Sequence, residues 1–380
     1  MEELEPLLAR LVAIDSVSAR DNSPVIELLE SELRPLGFDL RRHASVDALG
    51  VEKQNLVAVR GPVPAHGPSG LALVGHTDTV PYSAAWKDAL RLTRGAGPES
   101  DRLYGRGACD TKGFIACALR AVAAADLGAL RAPLWLAFTA DEETGCLGAK
   151  RLAELHALWP RHAIVGEPTS LTPVRAHKGY CLAEITVRGI EAHSAYPDRG
   201  ASAIGGAGEL LGDLEALARE LEAKIDPAFD PPHTTINVGL ISGGKAKNII
   251  PGECRFTVEW RPLPGDAPGE LPGRLRALTA RLTARRPRLT CEVVVLREDG
   301  GAATRRDAEL VRFLEAQSGR AAASVSFGTE APELAALGAE PVVFGPGDIR
   351  VAHQTGEFVP MADLERCSQI LGAAIEQFCR

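Results

Sequence analysis

Four short stretches, residues 71–74, 134–139, 163–165 and 341–344, are runs of apolar side chains almost without interruption. A strand with one wet face alternates with period two. An unbroken apolar run of this length is a strand covered on both faces, as in a parallel sheet between helices. Helical spacing separates the runs: Leu4, Leu7, Leu8, Leu11 and Val12, a second pattern over 25–36, an Ala-rich stretch at 113–124 and another at 149–155. With extended segments at 38–42 and 56–59, this order predicts an α/β fold with a mostly parallel central sheet. In such sheets the residues just past the carboxyl ends of the strands line the ligand crevice.

The style changes after Thr172-Pro173. Cys181, Ala183, Ile185 and Val187 alternate with polar or wet-face neighbours, as do Cys254, Phe256, Val258 and Trp260. That is the mark of antiparallel strands with one face in water. Helices at 201–219 and 270–285 and further strands at 234–240 and 289–296 complete the order βαββαβ, the ferredoxin-like split unit. We therefore read 174–297 as an inserted domain. Helical patterns at 307–317 and 362–378 and the strand at 341–344 resume the first style, making the first domain discontinuous, 1–173 with 298–380. A chain of 380 residues is in any case longer than one hydrophobic core usually supports.

Charge narrows the functional classes. With 42 basic against 50 acidic side chains, a net charge of -8 provides no general attraction to nucleic acid or to an anionic membrane. Eight cysteines without a Cys-x-x-Cys pair, mostly within apolar stretches, suit buried reduced thiols. Residues 1–10 lack the basic-then-apolar order of a signal peptide, and no apolar run approaches a membrane span, so a cytoplasmic protein is the expectation.

Polar residues of a restricted kind follow the apolar runs. Gly-His-Thr-Asp-Thr-Val-Pro (75–81) puts His76 at a strand end. Asp78, two residues on, faces the same side of an extended segment and can hold the other imidazole nitrogen. Residues 105–113, Gly-Arg-Gly-Ala-Cys-Asp-Thr-Lys-Gly, form a glycine-rich turn into a helix. They do not fit the Walker frame, since Lys112 precedes Gly113, and Asp110 alone reads as an N-cap. Thr-Ala-Asp-Glu-Glu-Thr-Gly (139–145) ends a strand with three adjacent carboxylates, which repel one another and call for a cation or a proton. In an extended segment Glu142 and Glu143 point opposite ways, one toward a metal and the other toward a water. Glu167 follows the run 163–165, and His353 lies in the loop after 341–344. His76, Asp110, Glu143, Glu167 and His353 together make two imidazoles and three carboxylates, a set suited to two zinc-like ions sharing one carboxylate.

With these residues assembled, the chain resembles the M20 family of dinuclear zinc amidohydrolases and peptidases over nearly its whole length. The resemblance is carried by residues 75–81, 103–113, 139–144, 166–179, 261–265, 329–332 (Thr-Glu-Ala-Pro) and 352–354 (Ala-His-Gln). It implies two Zn2+ ions, with Co2+ as a substitute: His76, Asp110 and Glu167 on one, Asp110, Glu143 and His353 on the other. It also implies that Asp78 orients His76 and that Glu142 is the general base. The inserted domain resembles the family's dimerisation or lid domain, implying a homodimer through that domain. His193, in Gly-Ile-Glu-Ala-His-Ser (189–194), matches the family's oxyanion-stabilising histidine. Asn248 and Arg261 match positions that grip the substrate carboxylate; on its pattern alone Arg261 is a wet-face strand residue. The implied substrate is a small N-acyl amino acid, N2-acetyl-L-ornithine, split to L-ornithine and acetate in arginine biosynthesis. An N-succinyl-diaminopimelate or a dipeptide is the alternative. Glu330 is placed to pair with a cationic substrate side chain, or equally to start a helix.

Overall fold

The computed structural model describes residues 3–267 and 269–380. It divides into two compact units, one made of Met1–Arg175, Thr304–Ala323 and Thr329–Arg380, the other of Ala176–Ala303 with Ser324–Gly328.

The first unit is mixed α/β. Six successive strands of its sheet are Asp39–Val46, Glu52–Arg60, Leu134–Thr139, Leu71–His76, His162–Val165 and Glu340–Val343. The last four strands are mutually parallel. The two at the other edge form an antiparallel hairpin that also joins Leu134–Thr139 antiparallel. Every residue of Leu71–His76 and Leu134–Thr139 is buried, as their unbroken apolar character requires. The hairpin strand Asp39–Val46 lies at the rim and is mostly exposed or half-buried. Helices Leu4–Val12, Ser23–Leu33, Lys112–Ala124, Glu309–Ser318 and Met361–Cys379 contribute to the same hydrophobic core. Lys112–Ala124 is helical because Ala is its commonest residue and no β-branched run interrupts it. Nearly all of it is buried, from Phe114 to Val122.

The second unit has four antiparallel strands in the order Thr235–Gly243, Glu253–Arg261, Tyr180–Arg188, Thr290–Asp299. Helices Ala203–Leu221 and Glu270–Arg285 supply Leu210, Leu214, Leu275 and Leu282 to a core shared with Ile185, Val187, Phe256 and Trp260. The buried residues of Glu253–Arg261 are the alternate ones, Cys254, Phe256, Val258 and Trp260, so the period-two pattern is the imprint of a sheet covered on one face. The hydroxyl of Ser202 caps the first helix, accepting from Gly205 N at 3.1 Å. Ser324–Gly328 joins this unit although nothing in its residue pattern marks it.

The eight cysteines are free thiols, all but Cys291 buried. Among the described residues no helix is long and apolar enough to cross a membrane.

Candidate active site

Strand register brings the chemistry to one edge of the first unit's sheet. His76 pairs with Thr139, so Leu71–His76 and Leu134–Thr139 end level with one another, while Val165, the last residue of His162–Val165, pairs with Val74, two residues short of that end. Val343 also pairs with Val165, and the 345–353 loop leaves from the same edge. His76, the 141–143 turn, Glu167 and His353 therefore emerge together. Helix Lys112–Ala124 packs against this edge so closely that a Cβ on Gly166 would lie 2.1 Å from the Phe114 ring. Only glycine permits that approach, which brings Asp110, just ahead of the helix, beside His76.

Asp110 is shared by two histidines. Its Oδ1 lies 3.0 Å from His76 Nε2 and its Oδ2 lies 3.0 Å from His353 Nε2. His353 Nε2 is also 3.2 Å from Glu143 Oε1. Ligand atoms of His76, Asp110 and Glu143 all fall within 4.8 Å of one another. Asp110 precedes the helix without capping it; Thr111 occupies the N-cap position.

Electrostatics describe a site with more carboxylates than its imidazoles can offset. Burial acts to lower His76, but its bond to Asp110 and the negative charge of the nearby Asp78 carboxylate carry it well above the ordinary histidine value. Asp110 and Glu143 raise His353 to about 10. Burial opposes ionisation of Asp110, yet the two histidines hold it well below the usual carboxylate range. Burial first, then neighbouring acids, push Glu142 up to about 8 and Glu167 well above its ordinary value. Imidazole and carboxylate donors converging with such unrelieved acidity fit divalent cations of the zinc type. Glu167 belongs to the cluster through its charge; it is outside the closest three-ligand group.

Two expectations change in detail. His76 Nδ1 meets the backbone carbonyl of Asp78 at 2.9 Å, whereas the Asp78 carboxylate is 3.6 Å away. That carboxylate instead accepts from the backbone N–H groups of Glu142 at 3.1 Å and Glu143 at 3.3 Å, with Ser18 Oγ at 2.7 Å. Nor are Glu142 and Glu143 extended: Asp141 has φ 57°, and Gly145 N bonds back to Glu142 O at 2.9 Å. They differ because the turn aims them apart, Glu143 to His353 and Glu142 within 3.5 Å of Cys146 Sγ.

Glu330 is buried at the N-cap position of helix Ala331–Ala336, and its side chain makes no cap bond. Its Oε1 has no hydrogen-bond partner among the described residues, and burial pushes the group up to about 7. His193, Asn248 and Arg261 belong to the second unit. His193 is exposed and pairs with Ile249 across a two-residue ladder. Asn248, also exposed, accepts at its carbonyl from Ser194 N at 3.0 Å. Arg261 donates through Nε to Glu259 Oε1 at 2.8 Å, its guanidinium 3.9 Å from the Tyr180 ring centre.

Several buried charges around the site have no counterpart in the sequence reading. Lys53, 2 % exposed, lies 3.2 Å from Asp141 Oδ1. Lys112 donates to Ile14 O at 2.8 Å, and burial pulls its ammonium down to about 8. Arg106 and Glu357 form a buried ion pair at 2.6 Å.

Comparison with known proteins accords with this geometry. Residues 72–377 match the family described as Peptidase family M20/M25/M40. An acetylornithine deacetylase from Myxococcus xanthus is 56% identical over 377 residues, covering 99% of this chain and 97% of that protein. An acetylornithine deacetylase from Proteus mirabilis (strain HI4320) is 39% identical over 98% of this chain and 96% of that protein. A solved tripeptidase from Staphylococcus aureus superposes with TM-score 0.77 at 22% identity, covering 98% of this chain and 97% of its own. An M20 family metallo-carboxypeptidase from Sulfolobus solfataricus has TM-score 0.73 at 16% identity, covering 100% and 99%. The two solved structures share the fold; the family model and the deacetylase relatives carry more. The chain belongs to peptidase family M20/M25/M40.

Proposed function

We propose that this protein hydrolyses the amide of N2-acetyl-L-ornithine to L-ornithine and acetate, a step of arginine biosynthesis, in the cytoplasm. The observation that carries this reading is the 56% identity over 99% of the chain with a protein named acetylornithine deacetylase.

His76, Asp110 and Glu167 would hold one divalent cation and Asp110, Glu143 and His353 a second, with Asp110 shared between them. Zinc suits these donors, and cobalt accepts the same set. Bound there, the cations supply Lewis acidity that polarises the acyl carbonyl and lowers the pKa of water toward about 7. Glu142 is the general base. It takes the proton of the attacking water and hands it to the leaving nitrogen. Asp78 steadies Glu142 by fixing the backbone N–H groups of the turn. His193 would stabilise the oxyanion. Asn248 and the guanidinium fork of Arg261 would grip the α-carboxylate. Glu330, with its unpaired buried oxygen, would receive the ornithine ammonium.

The same reading makes the protein a homodimer through the second unit. The edge strand Thr235–Gly243 leaves Leu240 70% and Ile241 54% exposed, an apolar edge suited to a second copy.

The test is acetate release from N2-acetyl-L-ornithine, measured beside succinate release from N-succinyl-diaminopimelate, with zinc-loaded wild type and Glu142→Ala. Turnover of the acetyl substrate that falls at least a hundredfold in the variant is expected. Turnover of the succinyl substrate alone refutes the substrate assignment, and an active Glu142→Ala refutes the base.

A further inference from the structure

Strand Phe358–Pro360 pairs antiparallel with Arg102–Tyr104, Phe358 opposite Tyr104, and Gly105 N bonds to Glu357 O at 3.1 Å. This pairing carries the Glu357 side chain under the turn that presents Asp110. The Glu357 carboxylate, 0% exposed, is fully engaged. Oε2 accepts from Arg106 Nη1 at 2.6 Å, and Oε1 accepts from the backbone N–H groups of Cys109 at 2.9 Å and Asp110 at 3.0 Å. Arg106 extends the link: its Nη2 lies 3.4 Å from both Pro81 O and Gln354 O, and its guanidinium faces the Trp86 ring at 5.3 Å. One ion pair thus ties three segments, each within five residues of His76, Asp110 or His353.

A buried ion pair is a poor way to gain stability, because desolvation consumes most of the attraction. It is an effective way to hold backbone in place. Two backbone donors on one carboxylate oxygen leave the Cys109–Asp110 segment little freedom, and Arg106 cancels the charge that Glu357 brings near an already acidic site.

We propose that Arg106 and Glu357 are positioning residues for the metal site, setting its cation affinity by fixing the Asp110 backbone and the loop after His353. This rests on the metal reading above, though not on the identity of the substrate. Outer groups of this kind typically contribute 10–100-fold in metal affinity.

The experiment is competition for Zn2+ against a chromophoric chelator, using the metal-stripped full chain well below its unfolding temperature. Glu357→Gln keeps the shape and removes the charge; we expect zinc to bind about 10–100-fold more weakly. Arg106→Lys keeps the charge and loses the fork, and should weaken binding by a smaller factor. Substitution with Co2+ adds a second readout, since a displaced Asp110 or His353 changes the visible absorption of the bound ion. Wild-type zinc affinity in a folded Glu357→Gln protein overturns the proposal. If that variant does not fold, wild-type affinity in Arg106→Lys overturns it; if neither folds, the pair is a folding element and the proposal is wrong. A wild type that binds zinc but does not hydrolyse acetylornithine refutes the substrate assignment alone, whereas one that binds no zinc overturns the metal reading and this proposal together.

Discussion

Replacing Lys53 with Met removes a buried cation while preserving most of its volume. Lys53 Nζ lies 3.2 Å from Asp141 Oδ1 and 3.9 Å from Asp47 Oδ2, and it donates to the carbonyls of Ser18 and, at 2.7 Å, Arg20. At 3.2 Å and an effective dielectric of about 20, the attraction to Asp141 is about 5 kcal/mol. Removing one partner of a buried pair typically costs about 3–5 kcal/mol, and each carbonyl left dry adds about 1–3 kcal/mol. Water reaching the gap offsets part of this, so the expected deficit is about 3–5 kcal/mol at pH 7. The sign of its pH dependence follows from Asp141. Burial already raises that carboxyl, with Lys53 opposing, and losing Lys53 raises it further. A buried acid with a raised pKa costs stability when ionised. The deficit should therefore be fullest above the folded pKa and shrink as pH falls through the carboxylate range. Urea unfolding provides the measurement, with hydrogen exchange in strand Glu52–Arg60 reporting on the first unit alone, since two units need not unfold together. Adding Asp141→Asn should recover most of the loss. A deficit below about 1 kcal/mol, one indifferent to pH, or a double variant no better than the single would refute the reasoning.

Stripping metal with a chelator should abolish turnover and lower the unfolding midpoint; zinc restored to 100 times its Kd returns about 2.7 kcal/mol per site, read by calorimetry. Glu330→Gln should raise KM for acetylornithine by about 10–100-fold, the worth of a charged hydrogen bond, and leave N-acetyl-L-norvaline unaffected; equal effects on both substrates would exclude the ammonium role. Leu240→Asp with Ile241→Asp should shift sedimentation from dimer to monomer, and an unchanged sedimentation coefficient would move the interface elsewhere.

Much of the α/β frame was legible because strands buried on both faces cannot tolerate polar residues: 71–74 and 134–139 announce themselves. Strand Asp39–Val46 was only partly so, because an edge hairpin admits Arg41, Arg42 and His43 and blurs any period. Of the site, His76, Asp110 and Glu143 stood out by following apolar runs or a glycine-rich turn. The aim of Asp78 and of the Glu142–Glu143 pair did not, since a single positive φ at Asp141 replaces extended chain with a turn. Arg106, Glu357, Lys53 and Lys112 were out of reach for a different reason. Their partners come from far along the chain, Glu357 being 251 residues from Arg106, and no local pattern records a contact at that separation.

The register of the parallel strands has a consequence for how this chain can change. His76, the 141–143 turn and Glu167 are held in place by backbone ladders rather than by one another. Substitutions outside those ladders leave that register alone. Insertion or deletion of a single residue inside Leu71–His76 or His162–Val165 moves one ligand by about 3.3 Å and turns its side chain to the opposite face. Tolerance of length change should therefore be high in the loops at 62–70 and 95–101 and close to nil within these strands.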